Sequence, residues 1–230
     1  MARAISIALF SFWPNTYILS FQDKERTCIV SIIVHVYYAL DLPPCTLDLV
    51  PSVNLPLVMA KEKLPEVWLR GPVENIPSLL QPVAHALLQA KEEVNELLEN
   101  FPNELLWEKP AGAASTGFHL QHLSGVLDRM FTYAQGKQLD EKQFAALKEE
   151  GDSQTKTSAV ELVEAFNAQV EKAVKGLGEI DQQKLTDYRS IGRAQLPSTL
   201  MGCLFHAAEH TMRHLGQLIV TVRIVKSRQS

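Results

Sequence analysis

Between Ile76 and Val225 the apolar residues recur at a spacing close to 3.6 through four long segments, with no alternating pattern between them. That period fits helices packed on one another and leaves no sheet to pack against, so the expected fold class is all-α, a four-helix bundle. The first segment, 76–100, sets Leu79, Leu80, Val83, Leu87, Ala90, Val94, Leu97 and Leu98 against a charged face of Lys91, Glu92, Glu93 and Glu96. Phe101-Pro102 ends it, and Ser115 or Thr116 caps a second helix running to Gly136. The broad apolar face of this second helix, Phe118, Leu120, Leu123, Val126, Leu127, Met130 and Phe131, predicts burial against several partners. A short helix is expected at Glu141–Glu149. Ser158-x-x-Glu161 then forms a capping box for a third long helix, Ala159 to Val174, closed by Gly176 and Gly178. Gln182–Leu196 has no clean period and reads as a linker edging the site, where Tyr188 and Arg193 are candidates to hold an anionic substrate. Pro197 suits the first turn of the last helix, which runs to Val225.

Residues 1–58 have a different design. They hold seven charged residues and no glycine, whereas 59–230 hold 41 charged residues and all eleven glycines. Residues 1–58 are therefore expected to be an N-terminal extension, poorly ordered or a start-site artefact, and 59–230 to be the bundle domain. Met59-Ala-Lys-Glu-Lys63 resembles an ordinary cytosolic start. The uncharged run Ala4–Gln22 is broken by Pro14 and Asn15 and is too polar for a membrane span, and no cleavage site of small residues comes after Ile5–Phe12. Thr27–Leu40 has strand composition but no pairing partner downstream of it. Formal net charge is −4 and the pI is near 6.0, with Lys and Arg scattered, so no basic surface for nucleic acid is drawn. Cys28, Cys45 and Cys203 form no CxxC pair, so neither a disulfide framework nor a thiolate zinc site is indicated, and a cytoplasmic, reducing location is expected.

Chemistry concentrates in the histidines. His206, His210 and His214 recur every fourth residue of the last helix and so form one stripe, on which His210 and His214 can share a small ligand. A third imidazole must come from Phe118-His119-Leu-Gln-His122 on the second helix, where His119 and His122 compete; His122, deeper in the helix, is preferred. Three neutral imidazoles bring no charge of their own, so a divalent ion held by them keeps its positive charge and at least one open position. His206 reads as a helix-start or supporting residue, and Glu209 points about 100° away from its neighbour His210. His85 reads as a satisfied core histidine and Cys203 as a small buried hydrophobe. His35, in the extension, carries no argument.

Phe118-His-Leu-Gln-His122-Leu-Ser-Gly-Val-Leu-Asp-Arg129 together with Ala207-Ala-Glu-His210-Thr-Met-Arg-His214-Leu-Gly-Gln-Leu218 resembles the DinB-like superfamily, related to the YfiT group, over residues 75–225. The resemblance implies a four-helix bundle that often dimerises, with His122, His210 and His214 as ligands of a divalent metal, usually zinc or nickel, with manganese and iron as alternatives. It implies a metal-dependent transferase or hydrolase acting on a small molecule, the thiol-dependent S-transferases of the family using a low-molecular-weight thiol. The family commonly has Arg after the last ligand histidine, and here that position is Leu215. A competing reading is a non-catalytic metal-binding or ligand-binding bundle in stress response. Neither nucleic acid nor membrane is expected as a partner.

Overall fold

Hydrogen-bonding side chains start three of the helices where the sequence places them. In the computed structural model, which describes residues 7–11, 17–23, 26–32, 64–153 and 156–228, Ser158 accepts from the Glu161 backbone N–H while Glu161 reaches back to the Ser158 N–H. That closed box satisfies two backbone donors that a helix start otherwise leaves open. Ser115, rather than Thr116, caps the second long helix by accepting from Phe118 N. The bundle consists of α1 Gln81–Leu97, α2 Thr116–Ala134, α4 Ala159–Gly178 and α5 Leu200–Ser227, with the short α3 Glu141–Glu149 between α2 and α4. Asp140 starts α3 with a second capping box, made with Gln143. At 28 residues, α5 is about 42 Å long.

The four long helices pack around Leu80, Leu87, Leu120, Leu123, Leu127, Phe166, Leu177, Leu204 and Leu218, all fully buried. Leu79, expected on the apolar face of the first segment, and Val160, an apolar residue of the third long helix, lie outside this core. Leu79 precedes α1 in a single 3-10 turn, Val160 sits in the first turn of α4, and both are exposed. α4 continues to Gly178, where a Cβ would lie 2.9 Å from the Asn75 carbonyl oxygen, so glycine is what lets the helix end approach that backbone.

The expected linker is partly a hairpin. β4 Tyr188–Ile191 pairs antiparallel with β5 Leu196–Thr199, through a turn with Gly192 at φ +67° and Gln195 at φ +51°. Pro197 therefore lies in β5 and not in the first turn of α5. The helix starts instead at Leu200, where the Thr199 hydroxyl accepts from Gly202 N and the Leu200 and Met201 N–H groups donate to Asp187 and Leu185 carbonyls. Among the described residues, no helix is long and apolar enough to cross a membrane.

The chain divides into two units, Met1–Ala60 and Lys61–Ser230. In the first, β1 Ile7–Ser11, β2 Tyr17–Asp23 and β3 Arg26–Ile32 form an antiparallel sheet in that order. The strand read from Thr27 thus finds its partner upstream, with Phe21 opposite Cys28 and Asp23 opposite Arg26. His35, Cys45 and residues 33–58 generally lie outside the described residues.

Candidate metal centre

α2 and α5 run antiparallel, and this direction sets the pairing of the histidines. His122 Nε2 lies 2.9 Å from His210 Nε2, and one turn further along each helix His119 Nδ1 lies 3.3 Å from His214 Nδ1. The rings of His122, His210 and His214 close into a triangle, with centroids 5.2 Å (His122–His210), 4.6 Å (His210–His214) and 4.3 Å (His122–His214) apart. One nitrogen from each of the three falls within 4.8 Å of the others. Of the two histidines competing on α2, His122 therefore joins the stripe, while His119 lies behind His214, 3% exposed.

A buried carboxylate fixes the tautomer of His122. Glu150 Oε2 is 2.7 Å from His122 Nδ1 and Oε1 is 2.6 Å from Arg129 Nη1, with 7% of the Glu150 side chain exposed. Burial pushes the Glu150 carboxyl up, but the hydrogen bonds from His122 and Arg129 and the arginine charge outweigh it, so the group is held below its ordinary value and stays ionised. An ionised carboxylate only accepts, so the proton of neutral His122 resides on Nδ1 and its Nε2 presents a lone pair. Phe118 stacks on the same ring, 5.3 Å away and 11° from parallel. Burial, reinforced by the neighbouring His122, pushes His119 down to about 4; burial and the surrounding histidines push His214 down to about 4 and lower His210 as well. These imidazoles are therefore neutral at physiological pH, the form in which nitrogen binds a metal.

The donor set fits a divalent ion. Two nitrogens at about 2.0–2.1 Å from one ion stand roughly 3.0–3.4 Å apart, and the His122 and His210 nitrogens, at 2.9 Å, need little movement to reach that separation. An imidazole held by a buried carboxylate behind it is the arrangement that orients ligand histidines and raises their basicity.

The remaining candidates take other places. His206 is partly exposed and pairs with Glu209, Nδ1 to Oε1 2.8 Å, while Glu209 Oε2 accepts from Arg213 at 2.6 Å. His85 Nε2 contacts the Gly71 carbonyl oxygen at 3.1 Å. Cys203 is buried, and burial raises its thiol pKa. Leu215 is 1% exposed and belongs to the core. The hairpin does not edge the histidines. Arg189 donates to the carbonyl of Ala134, about 18 Å along α2 from His122, and Arg193 lies over the Phe144 ring, 4.7 Å from its centroid.

Glu150 and Arg129 are the residues that sequence reasoning missed. One signal was Gly125 within the apolar α2, since a Cβ there would collide with Glu150 Oε1 and Arg129 Nη1. Another was Gly151, which takes φ +85° where the chain leaves Glu150.

The family model of the DinB superfamily matches residues 86–218. Among solved structures, a DinB-like protein from Bacillus cereus is 20% identical, covering 61% of this chain and 91% of its own, with a TM-score of 0.47. A Streptococcus pneumoniae protein is 12% identical over 63% of this chain and 88% of its own, with a TM-score of 0.49. YfiT from Bacillus subtilis, described as "a probable metal-dependent hydrolase with an unusual four-helix bundle topology", is 15% identical over 69% of this chain and 93% of its own, with a TM-score of 0.48. No curated protein matches the chain.

Proposed function

The chain belongs to the DinB superfamily, and on that premise we propose that it is a divalent-metal-dependent enzyme whose ligands are His122, His210 and His214. The observation that carries this reading is the convergence of those three imidazoles within 4.8 Å, one of them braced by a buried carboxylate. Zinc and nickel suit imidazole nitrogen best among the candidate ions, with manganese and iron as the alternatives. A divalent ion supplies Lewis acidity, polarising an electrophile or acidifying a thiol or water beside it. Glu150 and Arg129 keep His122 Nε2 turned to the centre, and His119 limits the rotation of His214.

A small molecule has room next to this centre. A cavity of about 160 Å³ is lined by Lys109, Ser115, Phe118, Glu150 and Gly151 among others, and so shares Phe118 and Glu150 with the surroundings of His122. Lys109 gives it a cation for an anionic group of the substrate. The reaction class that suits three neutral ligands, a residual positive charge and a small polar cavity is transfer of a low-molecular-weight thiol to an electrophile, or hydrolysis of a small substrate.

The test is metal content by elemental mass spectrometry, then turnover of a panel of thiols with electrophiles and of small esters and amides. The expected result is one equivalent of metal in the parent protein, none in His122→Ala/His210→Ala/His214→Ala, and thiol or hydrolytic turnover abolished in His210→Ala. Metal without turnover on any of the panel would favour a non-catalytic metal-binding bundle, and a metal-free parent after reconstitution with each candidate ion would end the proposal.

A further inference from the structure

The relay behind His122 has a counterpart on α5. Arg129–Glu150–His122 links arginine, carboxylate and imidazole Nδ1 at 2.6 and 2.7 Å, and Arg213–Glu209–His206 repeats the order at 2.6 and 2.8 Å. His210 stands between them, its ring centroid 5.2 Å from His122 and 4.9 Å from His206. Ligand atoms of His206, Glu209 and His210 also lie within 4.8 Å of one another, a second group of metal-competent donors that shares His210 with the first. The two groups differ in access. His206 and Glu209 keep 44% and 28% of their side chains exposed, against 16% for His122. The second nitrogen of His210, Nδ1, is buried with no hydrogen-bond partner.

A neutral imidazole has one lone pair, so His210 cannot serve two ions at once without losing a further proton. From that sharing we infer that His206 and Glu209 form, with His210, an outer cation site through which a divalent ion passes on its way to the inner three histidines. Two imidazoles and one carboxylate make a competent donor set for first-row divalent ions. Binding there displaces the proton held between His206 Nδ1 and Glu209 Oε1, which His206 can carry on its other ring nitrogen. Arg213 keeps the second carboxylate oxygen and partly offsets the glutamate charge, so the outer site holds its ion weakly and releases it. His210 is the ligand common to both positions, and it retains the ion while the outer pair lets go and His122 and His214 close on the other side. This inference rests on the metal-centre reading above.

Cobalt(II) uptake by the full chain, monitored by stopped-flow visible absorption, tests it. The parent, His206→Ala and Glu209→Gln should all reach one tightly held equivalent, with the two variants loading about tenfold more slowly, the low end of what a charged entry cluster adds to an on-rate. In His122→Ala/His214→Ala one weakly held equivalent should remain and should disappear when His206→Ala is added. Parent-like loading rates in both outer variants would overturn the inference while leaving the inner centre standing, as would an inner variant that takes up no ion beside a parent that takes one. A parent with no tight equivalent would instead remove the metal-centre reading and this inference with it.

Discussion

Replacing Glu150 by glutamine isolates the contribution of the carboxylate behind His122. The substitution keeps the side-chain shape and removes the charge. In the parent, two oxygens of one carboxylate accept from His122 Nδ1 and Arg129 Nη1, with side-chain exposures of 7% for Glu150 and 9% for Arg129. A glutamine amide has one oxygen, so it can accept from one of these donors while its NH2 faces the other. Either His122 loses the partner that holds its proton on Nδ1, or the buried guanidinium loses its counter-charge. Removing such a supporting partner typically costs 10–100-fold in metal affinity, or about 1.4–2.8 kcal/mol. The assay is competition with a chelator of known affinity, using zinc or cobalt(II), with metal-free thermal unfolding run in parallel to separate affinity from folding. The expected outcome is a weakened metal complex on a variant that still folds. Parent-like affinity in a folded Glu150→Gln protein would refute the argument that this carboxylate sets the His122 tautomer for binding.

Gly125→Ala should weaken metal binding in the same assay, because its Cβ would run into Glu150 Oε1 and Arg129 Nη1; unchanged affinity would mean that the relay tolerates displacement. Phe166 is fully buried at the centre of the bundle, and Phe166→Ala should lower stability by about 3–5 kcal/mol, read from the urea midpoint. The metal-free protein should lose stability as pH falls from about 6.5, where histidines of the unfolded chain begin to take up protons, to about 4, where folded His119 and His214 do so. The sign is set by the unfolded chain binding more protons throughout that window, and Glu150, held below its ordinary value, extends the loss at lower pH. A melting temperature unchanged between pH 7 and pH 5 would contradict it.

The helices are legible because each announces itself locally. The Ser158/Glu161 box, the short helix at Glu141–Glu149 and the 3.6 period of α1 and α2 all rest on residues within a few positions of one another. The His210/His214 stripe is local in the same sense. Pro197 misleads because proline's fixed φ suits a first helical turn and an edge strand alike. Its place is decided by the pairing of Tyr188–Ile191 with Leu196–Thr199 and by the Thr199 cap beyond it. The strand from Thr27 misleads for a related reason, since its partner precedes it and lies in an uncharged run that invites comparison with a membrane span rather than with a sheet.

Choosing between His119 and His122 needs contact across two helices, and depth along α2 is a weak guide to it. Both histidines face α5, three residues apart, and helix direction decides which nitrogen meets which. Glu150 is further from local inference still. It lies 28 residues from His122, beyond the end of α3, next to Glu149 in an acidic stretch where one carboxylate looks like another. Its trace in the sequence is indirect. Gly125 interrupts the interior of α2, on the side that carries His122 and Arg129, at a cost of about 1 kcal/mol relative to alanine, and a helix interior tolerates that cost where something must come close. Here the something is an ion pair too buried to be a surface ornament, positioned to brace one histidine of the proposed centre whose other two are visible as a stripe. A glycine with no turn to make is thus a pointer to the group packed over it, and the group here is the one on which the proposed chemistry of His122 depends.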